Sequence, residues 1–200
     1  QNAADWRLML GIGYGWGITL EDGTLAPSTL VLPYGRFAWV SMVLVLPGQR
    51  KQGYATHLLR AALGDLGKRA LTPILDATPA GHEVYLHEGF RDTWGFRRFQ
   101  LRETIAAIER PTGVRPLRAT DWPQLLALDA QAFGASRERL LRSLAARLPQ
   151  AAHEHRDFLA QRRGRRRLAV RARHHRVVRM GMRHRPQRAG ESHEPRQQHC

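Results

Sequence analysis

The chain has 200 residues, 42% of them hydrophobic, a formal net charge of +15 and one cysteine, Cys200. That apolar share suits one or two folded domains, and a lone cysteine excludes an intramolecular disulfide framework. No apolar run reaches the roughly 18 residues of a membrane-spanning helix, and no basic-then-apolar leader opens the chain, so the expectation is a cytoplasmic protein without a membrane partner. The charge is uneven: residues 151–200 hold 14 Arg, no Lys and 4 acidic residues, so two thirds of the excess sits in the last quarter.

In chain order, the opening "QNAADWRLML" begins on Gln1 rather than Met and reads as the middle of a helix, so a fragment is expected. Residues 5–10 read as its last turns, and "GIGYGWG" at 11–17 ends it. Short strands are expected at 18–20 and 29–31, with turn chemistry in "EDG" at 21–23 and "PYG" at 33–35. Residues 37–46, "FAWVSMVLVL", are apolar at nearly every position, which predicts a central strand covered on both faces. Pro47 and Gly48 end it.

Ala55, Leu58, Leu59, Ala62, Leu63 and Leu66 repeat at helical spacing over three turns. A strand at 72–75, a loop at 76–81, a helix at 82–87 closed by Gly89 and an aromatic-rich strand at 90–102 follow. "RPTGVRP" at 110–116 marks a linker, with one short strand at 114–117. Asp121 is a candidate N-cap for a helix carrying Leu125, Leu126 and Leu128. Ser136 is another, for a helix carrying Leu140, Leu141, Leu144 and Leu148. After Gln150 the periodicity stops, and the composition predicts disorder.

The informative stretch joins the apolar strand to the first long helix: "LPGQRKQGYATHL". A chain that stops as a strand and restarts as a helix leaves unpaired N–H groups at the helix start. Those groups and the helix dipole attract phosphate, and a glycine lets the backbone come close. Arg50 and Lys51 add positive charge. The turn is neither G-x-x-x-x-G-K-[ST] nor G-x-G-x-x-G.

"RKQGYA", residues 50–55, resembles the [RQ]-x-x-G-x-[GA] signature of the GNAT superfamily of N-acetyltransferases. The preceding "MVLVLP" is similar to that family's central strand. "LDATPAGHEVYLHEGF" at 75–90 resembles its segment with a Tyr four residues before Gly-Phe, here Tyr85, Gly89 and Phe90. The resemblance covers about residues 5–105. A weaker one over 112–150 looks like the start of a second such domain.

The resemblance implies a GNAT-like α/β fold: a mixed twisted sheet flanked by helices, lacking its opening strand and helix. It implies domains at 1–105 and 106–150, followed by a disordered Arg/His-rich tail at 151–200. It also implies acetyl transfer from acetyl-CoA to a primary amine on a small molecule or peptide. The backbone at Val43, Leu44 and Val45 would face the pantetheine and thioester. The N–H groups of Lys51, Gln52, Gly53, Tyr54, Ala55 and Thr56, beside Arg50, would hold the pyrophosphate. Tyr85 would protonate the departing thiolate; a phenol of pKa about 10 carries its proton at neutral pH. No general base is assigned. The central strand has no carboxylate, Ser41 could act only through water, and Asp76, His82 and Glu83 stay open.

"GIGYGWG" lacks the third glycine of a nucleotide loop and reads as a helix exit and strand start. His153-x-His155 is too sparse for a metal site, and no metal is expected. The arginine-rich tail has three readings: a nucleic-acid arm, a solvated extension, or an out-of-frame translation of a GC-rich gene. The third fits Arg-only basic usage and the absence of aromatics after Phe158. Two alternatives to the enzyme remain open, a CoA-binding remnant without catalysis and a nucleic-acid-binding protein acting through the tail. The oligomeric state is open.

Overall fold

The computed structural model describes residues 2–100, 114–148, 153–155 and 173–182. Helix α1 (Ala3–Ile12) starts behind Asn2. The Asn2 side chain accepts from the N–H groups of Ala4 (3.0 Å) and Asp5 (3.1 Å). Asp5 returns the bond by accepting from the Asn2 N–H at 2.9 Å. This reciprocal cap makes the opening stretch a first turn rather than a helix interior.

Strands β1 (Tyr14–Thr19), β2 (Leu25–Tyr34) and β3 (Phe37–Val45) form an antiparallel meander. The "GIGYGWG" run spans the end of α1, its cap Gly13 and the first four residues of β1. A Cβ on Gly13 would lie 2.0 Å from the Val31 carbonyl oxygen, and one on Gly15 would lie 2.3 Å from that of Thr29. The glycines let β1 press against β2 while Leu30 and Leu32 fold over them. Gly15→Val should therefore destabilise the fold by at least about 2 kcal/mol, since neither backbone can move aside. Urea unfolding checks this; an unchanged midpoint would contradict it.

Helix α2 (Tyr54–Lys68) lays Leu58, Leu59, Ala62 and Leu66 into the core. Its partners there include Val31, Ala38 and Val40, together with Leu75, Ala77 and Phe90 from the following segments. Tyr14 donates its hydroxyl to Asp65 at 2.6 Å, pinning β1 to α2. Burial and that carboxylate push the Tyr14 phenol up to about 12. Strand β4 (Thr72–Ala77) leads through Thr78 alone into α3 (Pro79–His87), so the loop expected at 76–81 shrinks to one residue. Proline at the first helical position suits a helix start, because its missing N–H has no partner to lose. Gly89, at φ +89°, closes the helix, and β5 (Arg91–Gln100) follows.

The remaining described strands are β6 (Val114–Pro116), β7 (His153–His155) and β8 (Arg173–Gly181). The six-stranded sheet runs β1-β2-β3-β4-β8-β5. Only β3–β4 is parallel, so the sheet is mixed. The expectation of disorder after Gln150 fails for β8. It lies between β4 and β5, pairing antiparallel with both, and buries Val177 and Met180. An inner strand needs few apolar side chains when neighbours on both edges satisfy its backbone. β6 pairs with β7 in a separate two-stranded ladder.

Helices α4 (Trp122–Phe133) and α5 (Glu138–Arg147) contact β2, β3 and α1. The Phe133 ring sits 5.0 Å from Tyr34, 5.5 Å from Phe37 and 6.0 Å from Trp39. Arg147 bonds Asp5 at 2.9 Å, joining α5 to α1. The Asp121 side chain does not cap α4 as expected. Arg115 grips it with two bonds of 2.7 and 2.8 Å, and the Arg118 N–H donates at 2.7 Å. These donors hold its carboxyl down at about 2. Ser136 accepts from the Glu138 N–H only at 3.4 Å, with Arg137 at the cap position of α5.

Candidate active site

The site lies where β3 leaves β4. The two strands pair through Phe37, Ala38 and Trp39 against Thr72, Pro73 and Ile74, and then separate. On its other edge, β3 carries one extra residue: Ser28 faces Leu44, but Leu30 faces Ser41. Met42, at φ +50°, lies in this bulge, and the Ser28 hydroxyl donates to its carbonyl at 3.0 Å. A bulge re-aims the strand beyond it. Here it sends Val43, Leu44 and Val45 along one wall of a groove of about 470 Å³. The expectation that β3 is covered on both faces therefore holds only for its first half. Ala38 and Val40 are buried, whereas Leu44 is half exposed.

The second wall is the basic turn. Lys51 (φ +61°) and Gly53 (φ +81°) both take left-handed conformations before α2 begins at Tyr54. The helix uses its first internal donor at His57, whose N–H reaches the Gly53 carbonyl at 2.9 Å. The N–H groups of Tyr54, Ala55 and Thr56 lie ahead of that bond, without a helical acceptor. A Cβ on Gly53 would meet nothing within 4 Å, so the glycine serves its positive φ and faces open space. Arg50 and Lys51 line the groove. The Arg50 Nε is occupied, donating to the Val45 carbonyl at 3.3 Å and tying the turn back to β3. Gln52 is placed apart from the other turn residues. It lies outside the groove lining, and its amide bonds Gln49 at 3.1 Å and Gly48 at 3.5 Å.

Thr78 and helix α3, through Ala80, Gly81, Val84 and Tyr85, form the third wall. Tyr85 is half-buried, edge-on to Phe90 at 6.0 Å. Burial pushes its phenol above the ordinary value of 10. Its hydroxyl has no protein partner among the described residues, which leaves its proton for a groove occupant. Gly81 makes room for the ring, since a Cβ there would lie 3.0 Å from it. Residues 81 and 85 stand one helical turn apart, a spacing that could have marked Gly81 from the sequence. The Ser28–Met42 contact could not have been read that way, because it joins two strands. Arg60 and Glu88 join α2 to the end of α3 through two bonds of 2.8 Å.

The candidate bases separate. His82 bonds Asp92 on β5 at 2.7 Å, and the Glu83 side chain is 77% exposed. Asp76 lies on β4 beyond the last β3 pair and accepts from Arg179 at 3.1 Å. Ser41 lies on β3 opposite Leu30.

The profile of the Acetyltransferase (GNAT) family matches residues 11–90, which run from the end of α1 through all three groove walls to Phe90. This segment is similar to the GNAT family of acetyltransferases. A crystal structure from Pyrococcus horikoshii, assigned as an acetyltransferase, is similar at 26% identity and a TM-score of 0.62 over 72% of this chain. The match takes in 50% of that protein, so this chain spans half its length. A GNAT acetyltransferase from Elizabethkingia anophelis with acetyl-CoA bound matches at 14% identity and a TM-score of 0.41, over 47% of this chain and 64% of that one. A Bacillus subtilis acetyltransferase in complex with CoA matches at 18% and 0.40, over the same shares. No curated protein matches significantly. The matched segment thus contains the turn, the parted strand and the tyrosine, while β8 completes the sheet from outside it.

Proposed function

We propose that this chain transfers an acetyl group from acetyl-CoA to a primary amine. One observation carries the reading: three features with separate chemical uses line one groove. They are the free N–H groups opening α2, the parted end of β3, and the Tyr85 phenol. The N–H groups and Lys51 suit a diphosphate. The backbone at Val43, Leu44 and Val45, freed from β4, suits an extended amide-bearing arm and the thioester at its end. The similarity of residues 11–90 to an acetyltransferase family agrees with acetyl-CoA as the co-substrate.

The transfer balances simply. An ammonium loses one proton to solvent, and the neutral amine attacks the thioester carbonyl. The C–N bond forms, the C–S bond breaks and the leaving thiolate takes the Tyr85 proton; the nitrogen sheds its second proton as the amide forms, and that proton, passed through solvent, restores the phenol. Backbone donors at the strand split stabilise the charge that develops on the carbonyl oxygen. Residues 106–150 are read as the opening of a second domain of the same kind. Val177 and Met180 of the basic tail are committed to the core of the sheet, which counts against that stretch acting as a free nucleic-acid arm.

The test is release of CoA thiol from acetyl-CoA by the full chain with a panel of primary amines. Amine-dependent release above the buffer rate is expected. CoA binding without such release would replace the enzyme by a binding remnant.

A further inference from the structure

The acetyl-transfer reading leaves the acceptor's side of the site unassigned, and the split between β3 and β4 supplies a residue for it. Asp76 lies two positions past the last β3–β4 pair. Its neighbours Leu75 and Ala77 are buried in the core shared with α2. Strand alternation therefore turns Asp76 to the opposite face of the sheet, at the mouth of the split. Its side chain is 24% exposed. One oxygen, Oδ1, accepts from the Arg179 Nε at 3.1 Å; the other, Oδ2, has no hydrogen-bond partner among the described residues.

Arg179 is itself held firmly. It stands opposite Asp76 on one side and Trp94 on the other in the β4–β8–β5 ladder. Its guanidinium lies 4.6 Å from the Trp39 ring, 5.3 Å from Trp94 and 5.8 Å from Phe96. Such stacking fixes the planar group, and the group fixes one carboxylate oxygen. Trp94, stacked on the guanidinium that holds Asp76, is 60% exposed and offers apolar surface on the same ladder. A carboxylate of this kind favours a cationic partner over a neutral one of the same size.

We propose that Asp76 Oδ2 seats the ammonium group of a primary alkylamine entering from this face, with Arg179 as the positioning residue and Trp94 packing the amine's apolar part. The inference rests on the acetyl-transfer reading above and narrows its acceptor to amines that are charged at neutral pH.

The test compares acetylation of phenethylamine, charged near neutral pH, with that of p-anisidine, an uncharged arylamine of similar size. Asp76→Asn should raise the KM for phenethylamine about tenfold, the weight of one partly exposed charge-assisted contact. The KM for p-anisidine and the affinity for CoA should stay as in wild type. Asp76→Glu should recover part of the loss, and Arg179→Met should reproduce it more weakly. An unchanged phenethylamine KM in Asp76→Asn, or an equal change for both amines, would overturn the proposal. So would a wild-type chain that acetylates p-anisidine but not phenethylamine. Failure of wild type to bind CoA, or to release its thiol with any primary amine, would instead remove the acetyl-transfer reading.

Discussion

Replacing Gly53 by Asp is expected to weaken CoA binding about ten- to hundredfold while leaving folding stability close to wild type. The two effects separate because they act at the same place with opposite signs. Asp is a favoured residue at a helix start, where it accepts from free N–H groups and meets the positive end of the helix dipole. It also tolerates positive φ better than most residues, and the space around Gly53 is empty. The cost falls on the ligand. A carboxylate set before Tyr54 competes for the same N–H groups and repels a diphosphate about 6 Å away by roughly 1–3 kcal/mol, depending on local screening. Gly53→Asn has nearly the same shape without the charge and should lose much less. Calorimetric titration of CoA into both variants measures the difference. Equal affinities for Gly53→Asp and wild type would mean that the phosphates lie elsewhere.

Tyr85→Phe is expected to lower kcat about a hundredfold while changing CoA affinity no more than about twofold. General acid catalysis is worth about 10²–10⁴. The lower end applies because a thiol of pKa about 8.5 is already a fair leaving group. The hydroxyl makes no protein hydrogen bond among the described residues, so its loss leaves the edge-on contact with Phe90 in place. The pH dependence follows from the sign of the shift. Burial disfavours the charged phenolate, so the Tyr85 pKa moves up and the proton stays on the oxygen beyond pH 10. A kcat profile should therefore show no loss assignable to Tyr85 below about pH 10. Equal losses in turnover and in CoA affinity for the Phe variant would assign Tyr85 to packing instead.

Local features were legible in the sequence. The leucine spacing of α2, the pairing of Gly89 with Phe90 after α3, and the basic turn are set by neighbours within a few residues. The groove lining accordingly includes nine of the ten expected turn and strand residues together with Tyr85; Gln52 is the exception, because its amide turns back to Gln49. Features made by distant partners were not legible. "RHHRVVRMG" carries too few apolar residues to announce a strand, and its place is decided by the open edges of β4 and β5. The bulge at Met42 depends on Ser28 in another strand. Asp76 gains its orientation from Arg179, 103 residues away. The apolar run of β3 suggested cover on both faces, but periodicity does not reveal where a neighbouring strand departs.

The central claim is that the main-chain N–H groups opening α2 hold the diphosphate of CoA. Amide chemical shifts recorded during titration of the full chain with CoA address it directly. Saturable shifts should be largest from Lys51 to Thr56, with smaller ones at Val43, Leu44 and Val45. Saturable shifts confined to residues outside these two stretches, or none at all, would contradict the account.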